Sequence, residues 1–82
     1  MVSVEFGPRF QKEIEKLKDA ALKERIRKQI AKVVADPETG KPMRYARKGT
    51  REVYVPPFRI SYGYLKDEEK LVFLDIYHKD EQ

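Results

Sequence analysis

No cysteine occurs among the 82 residues, so neither disulfide bonds nor thiolate metal sites can reinforce the fold. A single histidine, His78, excludes a histidine-rich metal centre, and nothing in the chain resembles a hard-cation loop. We therefore expect no metal and no cofactor. The first residues hold no apolar signal region, and no apolar run approaches the length needed to span a bilayer. The plain expectation is a cytoplasmic protein with no membrane partner. Eighty-two residues make one domain, 1–82, with a core near the size at which single cores become marginal. Hydrophobic content of 40% in alternating positions favours a folded domain over disorder.

What the chain does have is localised positive charge. Lys41 to Tyr64 reads KPMRYARKGTREVYVPPFRISYGY, with six Lys/Arg against the single acid Glu52. That local balance of +5 exceeds the +4 of the whole chain, so the rest sums to −1. The bland reading is a stable small protein solvated by Lys, Arg and Glu. Clustering of the charge, interleaved with Tyr45, Tyr54, Phe58, Tyr62 and Tyr64, points instead to an acidic partner, nucleic acid first.

Local signals divide the chain into six elements. Val2, Val4 and Phe6 alternate with polar residues as in a strand. Gly7-Pro8 ends it, and Pro8 suits the first turn of a helix. Phe10, Ile14 and Leu17 form that helix's apolar stripe. Asp19 is the expected N-cap of a second helix, whose stripe is Leu22, Ile26, Ile30, Val33 and Val34 and whose Glu24 precedes Lys28 at i,i+4. Asp36-Pro37 should stop it near Ala35. After the loop Asp36–Gly40, Lys41–Tyr45 reads as a short strand or an extended arm, and Lys48-Gly49 as a turn.

Arg51–Val55 and Phe58–Tyr64 read as strands joined tightly at Pro56-Pro57. Strand side chains alternate, so Val53, Val55, Phe58, Ile60, Tyr62 and Tyr64 face one side and Glu52, Tyr54, Arg59 and Ser61 the other. That second surface can hold a phosphate. After a turn at Lys66–Lys70, Leu71–Ile76 is apolar on both faces apart from Asp75, as in a central strand. The expected fold is α+β, β-α-α-β-β-β, with a helical hairpin on one face of a small, mainly antiparallel sheet. Its core should contain Val4, Phe6, Phe10, Ile14, Leu17, Leu22, Ile26, Ile30, Val33, Val53, Val55, Ile60, Phe73, Leu74 and Ile76.

This order, with the helix-to-sheet link ADPETGKPMR, the hairpin REVYVPPFRISYGY and the terminal strand LVFLDIYHKDEQ, resembles the RelE/ParE toxin superfamily of toxin–antitoxin systems. The resemblance covers essentially the whole chain. It implies a RelE-like fold and a RelE-type mRNA interferase that inhibits translation by cleaving mRNA in the ribosomal A site without a metal. In that chemistry the ribose 2′-hydroxyl attacks its own 3′-phosphate, leaving a 2′,3′-cyclic phosphate and a 5′-hydroxyl. The partners so implied are the ribosome, mRNA and a RelB-like antitoxin, with the toxin–antitoxin complex binding operator DNA. The same resemblance leaves two alternatives: a ParE-like inhibitor of DNA gyrase, which is no enzyme, and an inactive relative that serves as co-repressor.

By that resemblance Arg59, in FRISY, contacts the scissile phosphate, for which a guanidinium fork supplies paired donors. Its bland role is an ion pair with Glu52 across the hairpin. His78 and Lys79 take the place of the family's basic catalytic residues, His78 as a proton donor and Lys79 as a neutralising charge. The alternative for His78 is a solvated tail residue. Glu52 is a candidate base for the 2′-hydroxyl, or simply the ion-pair partner of Arg59. Lys41, Arg44, Arg47, Lys48 and Arg51 read as RNA-backbone contacts, each singly a solvated charge and together a binding face. Tyr54 and Tyr77 could stack on a base. Many active relatives carry an aromatic residue a few positions beyond the basic pair, where it stacks on or protonates the substrate; none follows here, so either Tyr77 substitutes from the other side of His78 or the chemistry is slower.

Overall fold

A computed structural model describes residues 2–42 and 49–78. Strand β1 (Ser3–Phe6) leads into helix α1 (Pro8–Lys16), with Gly7 as N-cap and Pro8 opening the helix. The Gly7 N–H donates to the Phe73 carbonyl at 2.8 Å, and a Cβ there would lie 3.1 Å from that same oxygen. Glycine is what permits this close approach. Helix α2 (Ala20–Ala35) begins where Asp19 accepts a hydrogen bond from the Leu22 N–H at 3.1 Å, and it ends ahead of Pro37. Glu24, expected to pair with Lys28, hydrogen-bonds Arg27 instead at 2.9 Å. That bond holds the Glu24 carboxyl below its ordinary value.

Strands β2 (Lys41–Pro42), β3 (Thr50–Val55), β4 (Phe58–Leu65) and β5 (Lys70–His78) follow among the described residues, with a 3₁₀ turn at Lys66–Glu68 where a plain turn was expected. The five strands lie in the order β1-β5-β4-β3-β2. Among the described residues only β1 and β5 pair in parallel, because the α1–α2 hairpin supplies the long crossover that parallel neighbours need. β5 is an interior strand, with β1 on one side and β4 on the other, as its two-sided apolar character requires. The arm expected over Lys41–Tyr45 is a strand at Lys41–Pro42, and its continuation lies outside the described residues.

Phe10, Leu22, Ile26 and Val33 of the helices pack on Val53, Val55, Ile60, Tyr62, Leu71, Phe73 and Ile76 of the sheet. Val4, Ile14, Leu17 and Ile30, expected in the core, are half-buried at its border. Phe6 is a correction: it is 43% exposed, because β1 is an edge strand and the ring reaches the core only by stacking on Phe10 and Phe73. Leu74 is a second correction, and Leu71, absent from the expected core, is fully buried. The cause is a bulge in β5. Ser61 pairs with Asp75 but Tyr62 pairs with Phe73, so Leu74 is the extra residue. Phe73 and Ile76 both face the helices, and Leu74 and Asp75 both turn away.

Tyr62 ties the sheet to the end of α2. Its hydroxyl donates to the Pro37 carbonyl at 2.8 Å and accepts from the Gly40 N–H at 2.9 Å. A Cβ at Gly40 would meet that hydroxyl at 2.6 Å, so only glycine fits. Tyr62→Phe should cost about 1–3 kcal/mol in denaturant unfolding, since the buried Gly40 N–H loses its acceptor. Burial holds the Tyr62 hydroxyl above its ordinary value of 10.0. The folded state therefore binds this proton more tightly than the unfolded chain. Its stabilising effect is complete below about pH 10 and is lost as the pH rises through the folded value. Tyr62→Phe should accordingly lose less stability than the parent on going alkaline; equal losses would assign the alkaline sensitivity to other groups.

Candidate active site

The two-residue Pro56-Pro57 turn sets the β3–β4 register, opposing Glu52 to Ser61, Val53 to Ile60 and Tyr54 to Arg59. With Val53 and Ile60 against the helices, the other pairs lie on the opposite face, as expected. The β5 bulge adds two more residues there, opposing Asp75 to Ser61 and Tyr77 to Arg59. β2 places Lys41 opposite Glu52. Two rows result, Lys41–Glu52–Ser61–Asp75 and Tyr54–Arg59–Tyr77.

Glu52 is the hub of these rows. Its Oε1 lies 3.4 Å from Nη1 of Arg59, and its Oε2 accepts a 2.9 Å hydrogen bond from the Tyr77 hydroxyl. Tyr77 stands on β5 and Glu52 on β3, so the tyrosine ring crosses over β4, where the small Ser61 leaves room. The side chains of Arg59 and Glu52 keep 34% and 23% of their exposure. A partly exposed ion pair at that distance contributes about 0–1 kcal/mol, so stability gives little reason for the arrangement. Tyr54, 48% exposed beside Arg59, offers a flat apolar surface.

Not every residue expected in the site is there. Arg51 opposes Tyr62 on the helix-facing row, and its Nη1 donates to the carbonyls of Gly40 (2.7 Å) and Glu38 (3.0 Å). It clamps the loop after α2 rather than joining Arg59. His78 opposes Phe58, with the two rings edge-on at 5.6 Å, and belongs to the row opposite to that of Tyr77. Arg44, Arg47, Lys48 and Lys79 lie outside the described residues. Asp75 and Arg9, which sequence reading did not place in the site, meet at its border with Nε and Oδ2 3.3 Å apart. The one signal for Asp75 was its isolated charge in an otherwise apolar strand.

A cationic fork between two tyrosines, with a carboxylate against both fork and hydroxyl, can bind a phosphodiester and move protons beside it. The architecture that carries this cluster is that of the RelE-like toxins. The fold matches that of the toxin in the intact Escherichia coli RelBE toxin–antitoxin complex with a TM-score of 0.81, at 17% identity over 95% of this chain and 96% of that one. The Mycobacterium tuberculosis RelBE2 toxin–antitoxin complex gives 0.76 at 22% identity, covering 95% and 98%. The E. coli DinJ-YafQ complex gives 0.76 at 18%, covering 98% and 96%. Comparison with curated protein sequences returns no match. The family model for the ParE toxin of type II toxin-antitoxin system, parDE, matches residues 4–82. The chain belongs to this toxin family, within the RelE/ParE superfamily.

Proposed function

We propose that this toxin is a ribosome-dependent endoribonuclease that cleaves mRNA in the A site. The observation that carries the reading is the Tyr54–Arg59–Tyr77 row with Glu52 beside it. Arg59 holds the non-bridging oxygens of the scissile phosphate and neutralises the charge that grows there as the 2′-oxygen attacks. Tyr54 and Tyr77 flank it as stacking surfaces for the adjacent bases. Glu52 accepts the 2′-hydroxyl proton. Lys41 and the basic residues Arg44, Arg47 and Lys48 hold the RNA backbone. No metal takes part in this scheme. The partner that restrains the toxin is an antitoxin, as in the RelBE and DinJ-YafQ complexes, and the site of action is the cytoplasm.

Induction in cells followed by mapping of mRNA 5′ ends tests the proposal. Cuts in register with the reading frame, confined to translated regions, are the expected result. The second reading, gyrase inhibition, is favoured by the family's description as a ParE toxin. It requires double-strand DNA breaks and intact mRNA on induction.

A further inference from the structure

β1 ends at Phe6, opposite Phe73. From Leu74 onward β5 therefore has β4 on one side and, among the described residues, no strand on the other. The chain turns into α1 against this stretch, with the Gly7 N–H on the Phe73 carbonyl. Arg9, the second residue of α1, reaches from there to Asp75, its Nε 3.3 Å from Oδ2. The other oxygen of Asp75 accepts the Ile76 N–H at 2.8 Å, which fixes the carboxylate. Asp75 thus holds the guanidinium by its Nε side, and neither terminal nitrogen is hydrogen-bonded among the described residues. The Arg9 side chain is 79% exposed, and an ion pair so open to water adds little to stability. What the pair does is aim a free cationic fork at the rim of the open face.

Asp75 ends the row that begins at Lys41, so Lys41 and Arg9 stand at opposite sides of the face with Arg59 in the next row between them. Arg59 opposes Tyr77, two residues along β5 from Asp75. One strand spacing across and two residues along separate the Arg59 and Asp75 backbones by roughly 8 Å. That step suits successive phosphates of a single strand better than two contacts to one phosphate. From the endonuclease reading and this geometry we infer that Arg9, oriented by Asp75, binds the mRNA phosphate adjacent to the scissile one. Asp75 is a positioning residue that acts through Arg9, and Arg9 in turn offsets a carboxylate that would otherwise repel the backbone. The RNA then crosses the sheet from the β2 side to the start of α1. Arg9 lies outside the basic block Lys41–Tyr64, so the positive surface is not confined to that block.

The test measures toxin affinity for two kinds of ribosome. One carries mRNA that spans the A site and is made uncleavable there by 2′-O-methyl groups; the other carries mRNA that ends at the P-site codon. Ribosomal RNA is the same in both, so their difference reports contacts to the mRNA. Arg9→Ala should weaken binding to the spanning ribosomes roughly tenfold, the lower end for a hydrogen bond to a charged group. Its slope of log affinity against log salt should flatten by about 0.7, as for one phosphate on a single strand. On the truncated ribosomes Arg9→Ala should bind as the parent does. Equal losses on both would place Arg9 on ribosomal RNA or in the fold and overturn the inference, as would no loss on either. Asp75→Asn keeps an acceptor for the Ile76 N–H and removes the charge. In that background the Arg9→Ala loss should be smaller but still several-fold. A loss that vanishes there means that Arg9 only screens Asp75, which overturns the inference; an undiminished loss overturns the positioning role of Asp75. Thermal melts of each variant confirm folding. If the parent binds both ribosomes equally, it does not engage A-site mRNA, and the endonuclease reading falls together with the inference. If the parent prefers the spanning ribosomes and Arg9→Ala keeps that preference in full, only the assignment of Arg9 falls.

Discussion

Arg59→Ala should lower single-turnover cleavage of A-site mRNA by about 10²–10³-fold or more, with the variant folded and ribosomes saturated. That range is typical for loss of one preorganised donor in a transition-state site, and a charged fork should count for no less. Its contact with Glu52 is long, 3.4 Å, and partly exposed, so stability should move by no more than about 1 kcal/mol. Affinity for the ribosome should fall far less than rate, because the other basic residues still hold the backbone. Arg59→Lys should lie between, keeping the charge and losing the fork. Folded Arg59→Ala that cleaves within a few-fold of the parent would return Arg59 to the role of ion-pair partner for Glu52. A loss of affinity as large as the loss of rate would make Arg59 a docking residue instead.

Phe73→Ala should be the most damaging substitution for stability, at about 3–5 kcal/mol in denaturant unfolding. Phe73 is fully buried on β5, and its ring lies 5.5–5.8 Å from those of Phe6, Phe10 and Tyr62. One truncation therefore opens a cavity between β1, α1 and β4 at once. For a chain of this length the whole stability is on the order of 4–12 kcal/mol, at about 0.05–0.15 kcal/mol per residue. The variant should therefore lose a large share of the whole, between about a quarter and all of it. Phe6→Ala, at a ring already 43% exposed, should cost clearly less. Equal costs for the two would mean that the stack acts as one unit in which the rim matters as much as the centre.

Much of the architecture was legible because its determinants act over a few residues. Pro8, Asp19 and Pro37 start and stop the helices through backbone chemistry that a short window contains. A two-residue turn between two alternating runs leaves one register, and that register alone brought Glu52, Tyr54, Arg59 and Ser61 to one face. Arg51 shows where this legibility stops. Its charge is the same whether it faces a phosphate or the carbonyls of Glu38 and Gly40, and only the fold of the 36–40 loop distinguishes the two.

Sequence by itself thus determined the order of elements, the helix-facing row of the β3–β4 hairpin and the place of Arg59. Tertiary structure decided the rest of the site, through β5. Strict alternation from Phe73 would send Asp75 and Tyr77 towards the helices and Ile76 away from them. That arrangement would bury a carboxylate and a phenol at the expense of an aliphatic side chain, which is unfavourable on every count of transfer energy. One extra residue at Leu74 reverses the phase: Ile76 enters the core, and Asp75 and Tyr77 join Ser61 and Arg59. A bulge has no local signature in LVFLDIYH, because it is forced only when β5 must satisfy the helices, β4 and its parallel neighbour β1 together. The hydroxyl of Tyr77 reaches Glu52 for that reason, and no reading of β5 alone could have brought them together.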